Sequence, residues 1–319
     1  MLIVRNQIEL PFPSDILQMT AVTVPMLLAE NKGLDPLDAL RAIAITDGIP
    51  KLVQLFDFQR PFAENLGLLF TQNSAYFRYA ESELRWHFRT PETYNILLYG
   101  MATGHNRISQ LAEFSGFPQN KCDKYLKALD KAGLLETVQR KDITDHIRTH
   151  YYPKGGYWKT WFRYVFPSQG CCLKPLEWDS LQQLANDIDR SIVAEYFKTV
   201  CWKWMKKNYG DYYWDEILGF DDPKQQNVTV NGVHFDYVQE TKDHTIYVKI
   251  WDDIGEGFPK AEFQRIEAAT TAVRPFYENI YFLFSAGKAC NYVEQLRNLE
   301  TVSVVNLKSL LGQKNKELF

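Results

Sequence analysis

An α+β chain of more than one domain is predicted here, on three observations. Its 319 residues exceed the roughly 250–300 at which a single core stops growing. The first 88 residues carry helical patterning punctuated by Pro and Gly, without strand alternation. The last third alternates short runs of Val, Ile, Tyr and Phe with helical stretches. Hydrophobic residues at 45% and aromatics at 14% supply enough large side chains for packed cores and exclude a disordered chain. The predicted division is a helical unit over 1–88, a second unit over 89–156 and an α/β unit over 157–319.

A net charge of −3 excludes a uniformly basic nucleic-acid binder, so any phosphate contact must come from a local patch. The five cysteines form no CxxC pair and have no His at zinc-ligand spacing, which fits a reducing cytoplasm. Adjacent Cys171 and Cys172 read as packing or loop residues. The opening MLIVRNQIELPFPSD lacks the basic-then-apolar pattern of a secretory leader. The apolar runs fall short of the ~20 residues that span a bilayer. The expectation is a soluble, cytoplasmic protein with no membrane partner.

In the first unit, helices are expected over Asp15–Ala29, Pro36–Thr46, Pro50–Phe58 and Arg60–Phe70. Asp35 supplies a cap, Pro36 the first helical position, and Asp47-Gly48 the stop. In the second, Thr90 and Pro91 open a helix whose apolar face is Tyr94, Leu97, Leu98 and Met101. Ile108–Phe114 and Pro118–Ala132 follow, ending at Ser115-Gly116 and Gly133. Two strands, Leu134–Val138 and Thr149–Tyr152, flank the charged stretch Gln139–Arg148.

Three helices and a hairpin are the element order of a winged helix-turn-helix. At 100° per residue, Asn120, Lys124, Lys127 and Lys131 share one stripe of the third helix. Cys122, Tyr125, Leu126 and Leu129 lie opposite. A row of ammonium groups on an amphipathic helix suits a major groove of double-stranded DNA. Lys121 joins that row. Arg140, Lys141 and Arg148 in the wing, with Arg107 before the second helix, could reach phosphates. Gln119 and Asn120 could reach base edges. A solvated helix face, flanked by Asp123 and Asp130, is the plainer reading of the same residues.

Residues 157–185 begin with aromatic-rich YWKTWFRYVFP. A long helix is expected over Asp187–Lys207, then strands at Tyr213–Leu218, Val228–Tyr237 and Thr245–Trp251. Asn231-Gly232 inside the second signals a hairpin turn or bulge. A helix over Lys260–Ala272, a strand over Asn279–Phe284, a helix near Ala289–Asn298, a strand over Val302–Asn306 and a short last helix complete the chain. The order αβββαβ is the plan of restriction-endonuclease-like folds. Their site pairs an Asp at one strand end with Glu-x-Lys on the next, and the carboxylates hold Mg²⁺. Here VHFDYV offers Asp236 and IYVKIW offers Lys249, but Tyr247 stands where the second acid belongs. Glu195 on the preceding helix could assist. Asp252 and Asp253 fall at the far strand end. Mg²⁺ is therefore expected, with Asp236 as its ligand, only if nuclease chemistry survives.

No GxxxxGK[ST], HExxH, GxSxG or GxGxxG motif occurs. His146 and His150 are four apart, but within the wing. No nucleotide cofactor is expected.

Several segments together resemble the C-terminal portion of archaeal-type AAA+ ATPases that end in a nuclease-like domain. ALRAIAITDGIPKLVQLFD resembles the lid segment, with Asp47-Gly48-Ile49-Pro50 where the family carries a double glycine. PETYNILLYGMATGHNRISQLAEFSG and KYLKALDKAGLLE resemble the winged helix. WKTWFRYVFP resembles the aromatic motif after the wing. VHFDYV, IYVKIW and YFLFSAGKA resemble the last domain. The resemblance implies a lid remnant, a winged helix and a degenerate restriction-endonuclease-like domain. With no Walker motif and Val248-Lys249-Ile250-Trp251 in place of Glu-Cys-Lys-Trp, neither ATPase nor nuclease activity is expected of this chain. The function expected first is DNA binding or regulation. A Mg²⁺-dependent nuclease, or a scaffold docking a protein partner through Tyr157–Phe166, are the alternatives.

Overall fold

A computed structural model describes residues 21–71, 74–141, 147–166, 177–209 and 225–311, without the side chains of Arg140, Lys141, Tyr209 and Arg297. It is an α+β structure in two compact units: Met1–Val22 with Ala42–Asn186, and Thr23–Arg41 with Asp187–Phe319. The expected strand Tyr213–Leu218, the start of the helix expected from Asp15, Cys171, Cys172 and His146 lie outside the described residues.

The first helices among the described residues are α1 (Val24–Glu30) and α2 (Pro36–Thr46). Asp35 caps α2 by accepting the Leu37 N–H at 2.7 Å. α3 covers only Pro50–Val53 and α4 Phe62–Leu69, so the helix expected over 50–58 is cut short. The reason is Asn65. Its Oδ1 accepts the Asp57 N–H at 2.8 Å, and its Nδ2 donates to the Asp57 carbonyl at 2.9 Å. That satisfies the turn a longer helix would have replaced.

Sequence patterning missed α5 (Ala75–His87). Ser74 caps it, accepting the Phe77 N–H at 3.0 Å, and Tyr76, Phe77, Tyr79, Ala80 and Leu84 are buried. Charged residues interleave with this aromatic face and blur its period.

α6 (Pro91–Ala102), α7 (Ile108–Ser115) and α8 (Gln119–Lys131) precede the antiparallel pair β1 (Leu135–Lys141) and β2 (Ile147–Pro153). The loop before α7 joins the hairpin through the Tyr151 N–H to the Asn106 carbonyl, 2.8 Å, and Asn106 Nδ2 to the Tyr151 carbonyl, 3.0 Å. α9 (Gly155–Thr160) runs on as a π-helical turn over Trp161–Val165. Its aromatics face inward. Tyr157, Trp158, Trp161 and Phe162 are buried, and the Tyr157 hydroxyl donates to the Tyr76 carbonyl at 2.8 Å. In the segment Tyr157–Phe166, where a partner surface is expected, Tyr157, Trp158, Trp161, Phe162 and Val165 are instead core of the first unit, while Tyr164 and Phe166 are half-buried and Arg163 is exposed.

The second unit continues with α10 (Trp178–Ile188), whose last residues it takes, a π-turn over Asp189–Val193 and α11 (Ala194–Tyr209). Arg41 holds this turn, donating from Nε and Nη2 to the two Asp189 oxygens at 3.0 and 2.6 Å. The sheet has the order β3 (Gln226–Val230), β4 (Val233–Glu240), β5 (Thr245–Ile250), β6 (Asn279–Ser285), β7 (Val302–Asn306). The first three strands pair antiparallel and the last three parallel. α12 (Lys260–Thr271) lies between β5 and β6 in the chain, α13 (Asn291–Gln295) between β6 and β7, and α14 (Leu307–Leu310) follows. Such connections are what parallel pairing requires.

β3 and β4 meet in a two-residue turn with φ of 45° at Asn231 and 79° at Gly232, the left-handed pair that matches strand twist. Asn231 Nδ2 donates to the Ala269 carbonyl at 2.8 Å, fixing the turn to α12. One sheet face packs Val233, Phe235, Tyr247, Tyr281 and Leu283 against Phe263 and Ile266 of α12. The other meets α11, with Trp202 beside Tyr237 and Trp204 beside Phe284.

Candidate nucleic-acid interface and carboxylate–lysine site

α8 buries Cys122, Leu126 and Leu129, three or four residues apart on one side. Gln119, Asn120, Lys121, Lys124, Lys127 and Lys131 are all exposed. The lysines are not equivalent. Lys121 Nζ lies 3.9 Å from the centre of the Phe117 ring, a cation–π contact. Lys127 Nζ sits 2.6 Å from Asp123 Oδ2, and this bond raises the Lys127 pKa. Among the described residues Lys124 and Lys131 have no ion pair. Asn120 Oδ1 accepts the Lys121 N–H at 2.8 Å, leaving its amide nitrogen outward. Arg148 is exposed on β2. Arg140 and Lys141 lie on β1, where only their backbone is described. Arg107 precedes α7 and its N–H binds Gln110 Oε1 at 3.1 Å, so that residue has a capping duty as well.

The proposed carboxylate–lysine set is dispersed. Alternation along β4 slips at Asp236: Phe235 faces α12, yet Tyr237 faces α11. The register against β3 is the same on either side, with Val228 opposite Phe235 and Gln226 opposite Tyr237, and Asn227 between them takes a left-handed φ of 55°. Asp236 Oδ2 accepts the Ile250 N–H at 2.7 Å, and Oδ1 pairs with Lys198 Nζ of α11 at 2.6 Å. Lys249 goes to the opposite face. Its Nζ donates to the His234 carbonyl at 2.7 Å and lies 3.7 Å from Glu262 of α12. Glu262 also accepts from Arg265 at 2.8 Å. Leu283 and Phe284, neighbours on β6, pack toward α12 and α11 respectively, which fixes the two faces as opposite. Glu195 is exposed at the start of α11. Asp252 and Asp253 lie beyond β5, and both are exposed.

These residues do not fit a Mg²⁺ site. Both Asp236 oxygens are engaged, the buried Glu262 carboxylate is across the sheet, and a hard divalent ion wants several oxygens together. Among the described residues no group of three His, Cys, Asp or Glu could hold a metal. Cys201 is fully buried. Burial, and then the Asp236 charge, push its thiol well above the usual range, which makes it unreactive.

Lys198 and Glu262, the ionic partners of Asp236 and Lys249, had no signal in the sequence. Each reads locally as an ordinary helix charge. The same is true of a second constellation, in the first unit. Asp47 takes the left-handed φ of 52° and accepts the N–H groups of Gly156 and Tyr157 at 2.7 and 3.1 Å. It thereby caps α9 from over a hundred residues away. Gly155 has φ 82°, and a Cβ there would stand 2.3 Å from Asp47 Oδ2, so only glycine admits the contact. Burial pushes the Asp47 carboxyl from 3.8 up to about 6, against the pull of the two N–H bonds and Lys159.

No family model and no solved structure matches the chain. Among curated proteins, an uncharacterized protein of Methanocaldococcus jannaschii is 26% identical over 126 residues, 38% of this chain. The chain spans only 28% of that relative's length in the match. Among the described residues no helix is long and apolar enough to cross a membrane.

Proposed function

We propose that this chain is a DNA-associated protein whose α6–α8 and β1–β2 form a winged helix, with α8 as the helix that meets the duplex. The carrying observation is the outward row Lys121, Lys124, Lys127 and Lys131 on a helix anchored by Cys122, Leu126 and Leu129. Phosphate attraction through such a row is salt-dependent and insensitive to sequence. Gln119 and Asn120 at the helix start would read base edges, and Arg148, with Arg140 and Lys141 of the hairpin, would touch flanking phosphates.

The five-stranded unit is read as a restriction-endonuclease-like scaffold without nuclease activity. Supporting this, Tyr247 takes the position of the second acid and packs between Phe235 and Tyr281, at ring distances of 5.0 and 5.7 Å. Asp236 is tied to Lys198 rather than to Lys249. Descent from the C-terminal part of an AAA+ ATPase remains the origin this proposal favours, on the motifs quoted above.

Fluorescence anisotropy with a labelled duplex of about 20 base pairs tests the reading across 50 to 200 mM salt. Wild type should bind with a steep salt dependence. Lys124→Ala with Lys131→Ala should lower the slope of log K against log salt by about 2. Lys127→Ala should matter less, since Asp123 already holds that ammonium. No binding at 50 mM salt overturns the proposal.

A further inference from the structure

Within the first unit, a cavity of about 340 Å³ is lined by Asp47, Tyr79, Glu83, Lys154 and Trp158, together with the Gly133–Leu134 turn. Its chemistry is one-sided. Glu83 is 3% exposed, and a buried charge is costly unless it is hydrogen-bonded or paired. Yet only Oε1 is engaged, 3.0 Å from His87 Nε2. Oε2 is buried and accepts no hydrogen bond. A second carboxylate, Asp47, is in the same wall, with its oxygens on the helix N–H groups. Burial first, then the charges of Glu83 and Asp47, hold the Tyr79 phenol protonated, so its hydroxyl remains neutral beside them. Tyr79 and Trp158 add aromatic surface. The one cation in the lining, Lys154, is exposed and free to remain in solvent at the rim.

We propose that this cavity binds a small organic cation bearing a primary amine or guanidinium, such as a diamine. Its charged group would donate to the Glu83 carboxylate, with a small rotation of that side chain turning Oε2 into the cavity, while its methylene chain lies along Tyr79 and Trp158. Buried carboxylate beside aromatic faces is the lining that attracts desolvated ammonium and guanidinium groups. The size excludes a bare metal ion as sole occupant. A water molecule's share of liquid is only about 30 Å³, and about 340 Å³ falls within the range of organic-ligand pockets. The site shares no residue with the α8 row, so it stands whether or not the chain binds DNA.

Isothermal titration of the whole chain with agmatine tests it, with putrescine, potassium chloride and magnesium chloride as parallel titrants. Saturable one-site binding of agmatine or putrescine, with no saturable heat from the inorganic salts, is the expected result. Glu83→Gln should weaken that binding at least about tenfold, the loss of one charge-assisted hydrogen bond. Trp158→Leu, a shorter apolar replacement, should weaken it less while leaving the stoichiometry at one. Glu300→Gln, at an exposed residue of the second unit, should change nothing. Circular dichroism verifies folding of each variant. Should Glu83→Gln fail to fold, Glu83→Asp serves in its place: it draws the carboxylate back by one methylene and should weaken the binding likewise. Absence of saturable binding, binding that survives Glu83→Gln, or equal binding of potassium each overturns the proposal.

Discussion

Asp47→Asn should change how stability depends on pH while barely altering the fold. Asn tolerates the left-handed backbone that Asp47 adopts, and its oxygen can still accept one of the Gly156 and Tyr157 N–H groups. What disappears is the ionisable group. In the folded chain the carboxyl titrates near 6 rather than at its ordinary 3.8, so the native state binds the proton more tightly than the unfolded one. The sign follows. Asp47's contribution is fully present below about pH 4 and is lost as pH rises through 6. A shift of that size corresponds to about 3 kcal/mol. The residue keeps some exposed surface, so solvent reduces the figure and about 1–3 kcal/mol is expected. Urea denaturation of wild type and variant between pH 4 and 7 measures it. The variant should gain on wild type by that amount across the interval. A difference between the two that stays flat with pH would refute the burial argument.

Arg41→Lys should lose the two-pronged grip on Asp189 and cost about 2–4 kcal/mol by chemical denaturation. A cost below 0.5 kcal/mol, the noise level for surface changes, would show the pair to be ornamental. Leu126→Ala, at a fully packed position of α8, should cost about 2–5 kcal/mol and weaken DNA binding only through loss of folded protein, readable as an unchanged salt slope. Tyr247→Glu restores the acid that nuclease sites carry, yet it should destabilise the sheet by about 3 kcal/mol and yield no Mg²⁺-dependent cleavage, because Asp236 points toward α11. Cleavage of a plasmid by that variant would break the two-face argument.

Local physics made most elements legible. Pro36 after Asp35 opened α2 where expected, and Asn231-Gly232 turned between β3 and β4 because that pair alone reaches two left-handed positions cheaply. Strands β5, β6 and β7 were readable from their β-branched and aromatic runs. The stripe on α8 followed from the 3.6-residue period, and its lysines face outward as that period requires. The 50–58 segment misled because Asn65, distant from its start, supplies the turn's hydrogen bonds.

By itself, then, the sequence determined the place of most helices and strands though not of α5, which faces are apolar, and that an acid is lacking at Tyr247, because those properties depend on neighbours a few residues away. Only the tertiary structure decided that Asp236 and Lys249 part to opposite faces of the sheet, that the Tyr157–Phe162 aromatics are core, and that Asp47 and Glu83 share a cavity. Those outcomes turn on a one-residue slip in a strand and on contacts between segments as much as 110 residues apart, and no local period encodes either.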